Sequence, residues 1–280
     1  MRRGVPWPAR AGRARALALG LAVASVAAFA QDEVPFITTP DQVTLAMLEL
    51  AGVGPADHVI DLGSGDGRIV ITAAKRYGAR GLGVEIVPEL VRKSRELARL
   101  AGVQEWVEFR EQDLFATDLS RASVVTMYLL PAVNLQLRPR LLALAPGTRI
   151  VSHDWDMGDW LPERTLTVDV PEKSVGKEKL SRIHFWIVPA PVHGTWCASG
   201  TRLEIAQRFQ MFSAALGTTA SPVPIVFDGR IEGRTLRGQG MQAIELASEG
   251  DTLRTRRADN AAATGWPADA VFRRSASGRC

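Results

Sequence analysis

Val59-Ile60-Asp61-Leu62-Gly63-Ser64-Gly65-Asp66-Gly67-Arg68-Ile69-Val70 runs from an apolar strand, through an acid at its end and three glycines at alternate positions, into a helical pattern. Glycine belongs where the backbone must turn sharply and a ligand must come close without meeting a Cβ. A strand–glycine–helix turn of this kind puts a ligand at the carboxyl end of a parallel strand. The spacing excludes two common cofactors. A phosphate loop would end in Gly-Lys-Ser/Thr, which is absent. The dinucleotide pattern G-x-G-x-x-G fails because the third glycine follows Gly65 after a single residue. The loop is expected to turn the backbone N–H groups of Gly63, Ser64, Gly65 and Gly67 toward a ligand, with the Asp61 carboxylate placed to meet an ammonium.

Outward from this stretch, helical and strand patterns alternate. Asp41 opens a helix over 42–51, with Val43, Ala46, Met47 and Leu50 at three- and four-residue spacing after the breaker Pro40. Strands are expected at 59–62, 81–86, 107–110, 123–130, 149–153, 165–170 and 182–188, and helices at 67–77, 88–100 and 135–144. That is an α/β, Rossmann-like seven-stranded sheet with helices on both faces, and the alternation implies parallel strands. After Pro189-Ala190-Pro191 the character changes. Leu203, Ile205, Gln207, Phe209 and Met211 share one strand face, Asp228-Gly229 reads as a hairpin turn, and Glu249-Gly250-Asp251 as another. Three segments follow: a leader (1–30), the α/β domain (31–191), and a small antiparallel β domain (192–280) forming a sheet or partial barrel.

Two further acids stand at strand ends. Glu85 closes the second strand 24 residues after Asp61, where an acid accepts ribose hydroxyls. It reads equally well as the acid at the start of the helix that Pro88 opens. Asp113 follows the third strand, and taken singly is a turn residue. His153-Asp154 at the end of the fifth strand reads as a structural pair or as groups that assist the chemistry of the site, and His184 as a core or edge residue.

Acid-x-Gly-x-Gly-x-Gly, with Glu85 and Asp113 in register behind it, resembles the class I S-adenosylmethionine-dependent methyltransferases from roughly Val34 to Pro189. The resemblance implies S-adenosylmethionine as cofactor. Asp113 would then accept the adenine amino group, Ile86 and Leu114 would pack on the ring, and Tyr128-Leu129-Leu130-Pro131 would lie near the transferred methyl, with Tyr128 the candidate catalytic residue. Val34-Pro35-Phe36-Ile37-Thr38-Thr39-Pro40, Gly83-Val84-Glu85 with Pro88-x-Leu90-Val91-x-x-Ser94-Arg95, and Asp113-Leu114-Phe115-x-x-Asp118-Leu119-Ser120 look like the lysine methyltransferases of the ATP synthase c-subunit and the adenine nucleotide translocase. In that group the first segment folds over the cofactor, so Phe36, Thr38 and Thr39 are candidates for its methionine end. The implied acceptor is a protein lysine. A small-molecule acceptor, or a catalytically silent envelope protein whose β segment does the binding, are the alternatives.

Five arginines and no acid lie in the first 30 residues, so the formal charge of +4 becomes −1 for the rest, and the basic pI is no argument for a nucleic-acid partner. An arginine-rich start, an apolar run over 16–30 and Ala28-Phe29-Ala30 form a secretory signal. It implies export, to the periplasm or tethered at the membrane by an uncleaved leader, with no membrane span once the leader is cut. The two cysteines, Cys197 and Cys280, either bond or stand free. Neither lies near the cofactor motifs, and no metal site is expected.

Overall fold

β1 (His58–Leu62) is buried on both faces, as a central parallel strand must be, and its residues divide between two cores by the period of two. Val59 points into one, with α1 (Asp41–Leu50) and α2 (Arg68–Tyr77); Ile60 and Leu62 point into the other, with α4 (Pro131–Leu142). The computed structural model describes residues 37–173, 178–218, 221–239, 243–259, 266–267 and 269–280. Phe36 and the whole leader lie outside the described residues, and among those described no helix is long and apolar enough to cross a membrane.

The sheet has seven strands: β2 (Arg80–Glu85), β3 (Val107–Glu111), β4 (Val124–Met127), β5 (Arg149–His153), β6 (Arg164–Asp169) and β7 (Leu180–Ile187) join β1 in the order β3-β2-β1-β4-β5-β7-β6. α3 (Pro88–Leu100) carries the chain from β2 to β3, burying Val91, Ser94 and Ala98. The first five strands are parallel, as expected. β7 runs antiparallel to both neighbours, which corrects the all-parallel expectation. A parallel neighbour needs a crossover helix, and neither the link after β5 nor the one after β6 contains one.

β4 also ends earlier than the apolar run suggests, at Met127. Leu130 is extended (φ −63°, ψ 151°), as a residue before proline prefers, and Pro131 starts α4, where its missing N–H costs nothing. Helix α4 therefore begins four residues before the expected 135. Tyr128, Leu129 and Leu130 are left as the strand-to-helix link at the carboxyl edge of the sheet.

From Gly194 on, eight strands close a barrel: β8 (Gly194–Ala198), β9 (Thr201–Arg208), β10 (Met211–Thr218), β11 (Ser221–Glu232), β12 (Thr235–Gly238), β13 (Ile244–Ser248), β14 (Thr252–Ala258) and β15 (Val271–Arg274), with β15 pairing back to β8. Its interior is packed with side chains, Trp196, Phe212, Trp266 and Phe272 among them. Leu203 and Ile205 face inward as the alternation predicts. Phe209 and Met211 do not continue that face, because the chain turns at Phe209-Gln210 (Phe209 φ +53°) and Met211 starts β10, exposed. Asp228-Gly229 is likewise no hairpin but the interior of β11. Gly229 is there for space, since a Cβ would stand 2.4 Å from both the Phe212 ring and the Arg237 carbonyl. The real hairpin is a few residues later, at Gly233-Arg234. The Glu249–Asp251 turn stands as expected, and Cys197 and Cys280 are disulfide-bonded across 83 residues at the β15–β8 seam.

The barrel meets the α/β part through the β9–β10 turn. Phe209 stacks on buried Trp160, Gln210 Nε2 donates to the Leu161 carbonyl at 2.7 Å, Arg208 pairs with Asp159, and Arg230 pairs with Glu163. The residues so held, 159–163, belong to the link that leaves β5.

Candidate active site

Asp61 is 2% exposed and its register partner on β4 is Thr126, so the two side chains stand on one face of the sheet. Thr126 Oγ1 donates to Asp61 Oδ1 at 2.7 Å. Burial pushes the Asp61 carboxyl up to about 7, opposed by the Thr126 hydrogen bond and reinforced by the charges of Glu85 and Asp66. A carboxylate kept this far from water is stabilised by an arriving cation.

The glycines turn the chain through Gly63, Gly65 and Gly67 with φ of +71°, +54° and +78°. The amides, however, are not presented to a ligand. Those of Gly63 and Ser64 donate to the Val84 carbonyl at 3.0 and 2.9 Å, that of Gly65 to Glu85 Oε2 at 3.0 Å, and that of Gly67 to the Ser64 carbonyl at 2.8 Å. The expectation of ligand-facing N–H groups is therefore corrected: the loop provides close approach and carboxylates, not an anion cradle. Ser64 Oγ is buried and has no hydrogen-bond partner among the described residues, so it remains available to a bound molecule.

Glu85 ends β2 with Oε1 accepting from the amides of Ile86 and Val87 and Oε2 from Gly65, which fixes the carboxylate beside the glycine turn. Ile86 is 66% exposed, an apolar side chain left open at the strand tip. Across from it, Asp113 caps a 3-10 turn (Leu114–Ala116), one oxygen accepting from Phe115 N at 2.8 Å and the other left for a ligand donor. Leu114 is half-buried beside it. These positions suit a nucleoside: paired hydroxyls on Glu85, an apolar ring against Ile86 and Leu114, an amino group on Asp113.

Arg68 was not among the expected site residues. It forks onto Asp66 at 3.0 and 2.8 Å and reaches the Thr39 carbonyl at 2.9 Å, tying the segment before α1 across the glycine turn. Arg68 is visible in the motif itself, but its partner 29 residues earlier is not. Thr39 is buried, and its hydroxyl meets His153 Nδ1 at 3.3 Å; Ser181 Oγ meets Nε2 at 2.8 Å. Burial depresses His153 to about 4, so the ring is neutral and both its nitrogens are engaged, a structural part as expected. His184, hydrogen-bonded to Thr165 between strands, is also structural.

Thr38, Tyr128 and His153 line a cavity of about 490 Å³ with Ile37, Arg68 and Lys173. The Tyr128 ring lies 3.9 Å from that of His153 and its hydroxyl donates to Asp154 Oδ2 at 3.3 Å. Burial and the Asp154 charge push the phenol up to about 12, so it stays protonated. Asp61 and Glu85 lie outside the lining of this cavity; it is the neighbouring compartment, one strand along.

A family model for the ANTKMT methyltransferase domain matches residues 61–164. A protein-lysine N-methyltransferase of Saccharolobus islandicus is 43% identical over 138 residues, 49% of this chain and 86% of the relative. The chain belongs to this methyltransferase family. The ATP synthase c-subunit lysine N-methyltransferase of Mus musculus is 38% identical over 108 residues, which make up 38% of this methyltransferase and 43% of the mouse protein. A crystal structure of an RNA methyltransferase from Salinibacter ruber, in complex with S-adenosyl-L-homocysteine, shares 52% identity at a TM-score of 0.50 over 56% of this methyltransferase and 96% of that chain. S-adenosylmethionine is thus the cofactor, and the acids of the glycine turn, the buried, unpartnered hydroxyl of Ser64 and the exposed Ile86 fit a cationic nucleoside.

Proposed function

We propose that the protein methylates the side-chain amine of a protein lysine. The observation that carries this reading is the cavity at the ends of β4 and β5, walled by Thr38, Tyr128 and His153 and adjoining the Asp61 compartment. When bound, the cofactor supplies an activated methyl on a sulfonium. The chain's own residues then have to hold an amine in line with that methyl and keep water away. Tyr128, protonated and donating to Asp154, keeps oxygen lone pairs for an amine N–H. A lysine arrives as the ammonium and must release its proton to solvent before it attacks, since only the neutral amine is the nucleophile; withdrawal from water in the cavity eases that loss. The named lysine methyltransferases among the relatives support this acceptor.

The 52% identical RNA methyltransferase structure favours a second reading, a nucleic-acid acceptor. The net charge of −1 outside the leader weighs against a polyanion, while on the cavity wall the acids Asp41 and Glu172 are matched by Arg68 and Lys173. Incubation of the leaderless protein with tritiated S-adenosylmethionine and a total protein or total RNA fraction separates the two. Label in protein, recovered as methyl-lysine after hydrolysis, is the expected result; label confined to RNA would overturn it.

The protein is further proposed to be exported, in keeping with its leader and with a disulfide that oxidising compartments preserve. Fractionation, with thiol-trapping of Cys197 and Cys280, tests this; a cytosolic, fully reduced protein would refute it.

A further inference from the structure

Resting on the lysine reading above, we infer that Asp154 is the anchor for the acceptor amine and that Lys173 occupies this anchor until an acceptor arrives.

Asp154 follows β5 with φ +61°, a conformation few residues other than glycine adopt without a reason. The turn is fixed by its own amide donating to the Arg182 carbonyl at 2.6 Å, and by the Arg182 amide donating to Oδ1 at 3.0 Å. Oδ2 is thereby aimed at Tyr128 and Lys173. It accepts from the Tyr128 hydroxyl at 3.3 Å and from Lys173 Nζ at 2.7 Å. Lys173 Nζ also donates to the Leu180 carbonyl at 2.6 Å. With side chains 15% and 13% exposed, the pair is largely withdrawn from water, and Tyr128, His153 and Lys173 all line the cavity.

Sheet order places this pair where an acceptor belongs. Glu85 marks β2, Asp61 marks β1, Tyr128 follows β4 and Asp154 follows β5, in adjacent positions along the sheet. Neighbouring strands are roughly 5 Å apart. A cofactor spanning β2 and β1 therefore directs its methionine end toward β4, and the next polar anchor beyond is the Asp154 carboxylate. Its present partner is a primary ammonium on a flexible four-carbon stem, chemically the same group as a substrate lysine. Hydrogen bonds from Gln42 Nε2 to the Asp169 carbonyl and Glu172 Oε1 hold the stretch carrying Lys173 against α1, on the cavity rim.

The test measures binding of n-butylammonium, a lysine side-chain mimic, by calorimetry to the leaderless protein saturated with S-adenosylhomocysteine. Lys173→Met should bind it at least tenfold more tightly than wild type, because the resident ammonium is gone. Asp154→Asn, which tolerates the same backbone turn, combined with Lys173→Met, should abolish that gain. Equal binding by wild type and Lys173→Met, or binding that survives Asp154→Asn, would overturn the inference. Methyl transfer to poly-L-lysine by the same proteins reports on the lysine reading separately. A fall in KM for poly-L-lysine in Lys173→Met that exceeds any change in kcat supports the anchor. Asp154-dependent butylammonium binding without transfer to lysine would keep the subsite and refute only the acceptor.

Discussion

Replacing Asp61 by Asn should stabilise the ligand-free protein increasingly as pH rises, while abolishing cofactor binding. The carboxyl sits at about 7 in the fold and at about 4 in an unfolded chain. Between those values the folded state holds a proton that the unfolded chain has lost. The contribution of this group to stability therefore falls as pH rises through that window, and levels off above 7. At about 1.4 kcal/mol per pH unit, the penalty is about 1.5 kcal/mol at pH 5 and about 4 kcal/mol at pH 8.5. Asn keeps an oxygen for Thr126 and does not titrate; its amide hydrogens, if left unpaired, cost about 1–3 kcal/mol at every pH. That constant cancels when the two pH values are compared. The stability gap should thus shift in favour of Asp61→Asn by roughly 2.5 kcal/mol between pH 5 and pH 8.5. Urea denaturation of both proteins without cofactor at each pH measures it. A gap that stays flat, or shifts toward wild type, would refute the assignment of a buried, proton-holding carboxyl.

The same carboxyl should release close to one proton per S-adenosylmethionine bound at pH 6 and almost none at pH 8.5, read by calorimetry in buffers of different ionisation heat; affinity rises with pH up to about 7 in consequence. Glu85→Gln should weaken cofactor binding by about 10- to 100-fold, since a carboxylate that pairs two hydroxyls is worth several charge-assisted bonds, with an unchanged circular dichroism spectrum. Gly229→Ala should destabilise the barrel by about 2 kcal/mol or more, because its Cβ meets backbone and ring at 2.4 Å, yet leave cofactor affinity within about twofold. Replacing Cys197 and Cys280 together by Ser should lower stability by about 2–4 kcal/mol in thermal unfolding, the usual cost of opening so long a loop.

The glycine turn, Glu85 and Asp113 were legible because each belongs to a local rule: strand, turn, acid at a strand tip. β7 was legible as a strand but not in its direction, which depends on what the chain does between strands rather than within them. Gly229 misled because glycine after aspartate signals a turn, and only the packed Phe212 ring explains why it lies in a strand instead. Neither the Lys173 pairing nor the reach of Arg68 to Thr39 carries a local signal. Their roles come from partners 19 and 29 residues away, at Asp154 and Thr39. The barrel's closure was open for the same reason, since β15 meets β8 only through the two ends of the β segment.

The inward hydrogen bonding of the glycine turn has a consequence for selectivity. Nucleoside triphosphates and dinucleotides share the adenosine portion of the cofactor, and a loop with free amides would welcome their phosphates. Here the amides of Gly63, Ser64, Gly65 and Gly67 are already spent, and the groups facing the same space are acids. Discrimination among adenosine compounds should therefore follow the sign of what is attached at the far end of the sugar, with a positive tail bound more tightly than a phosphate chain.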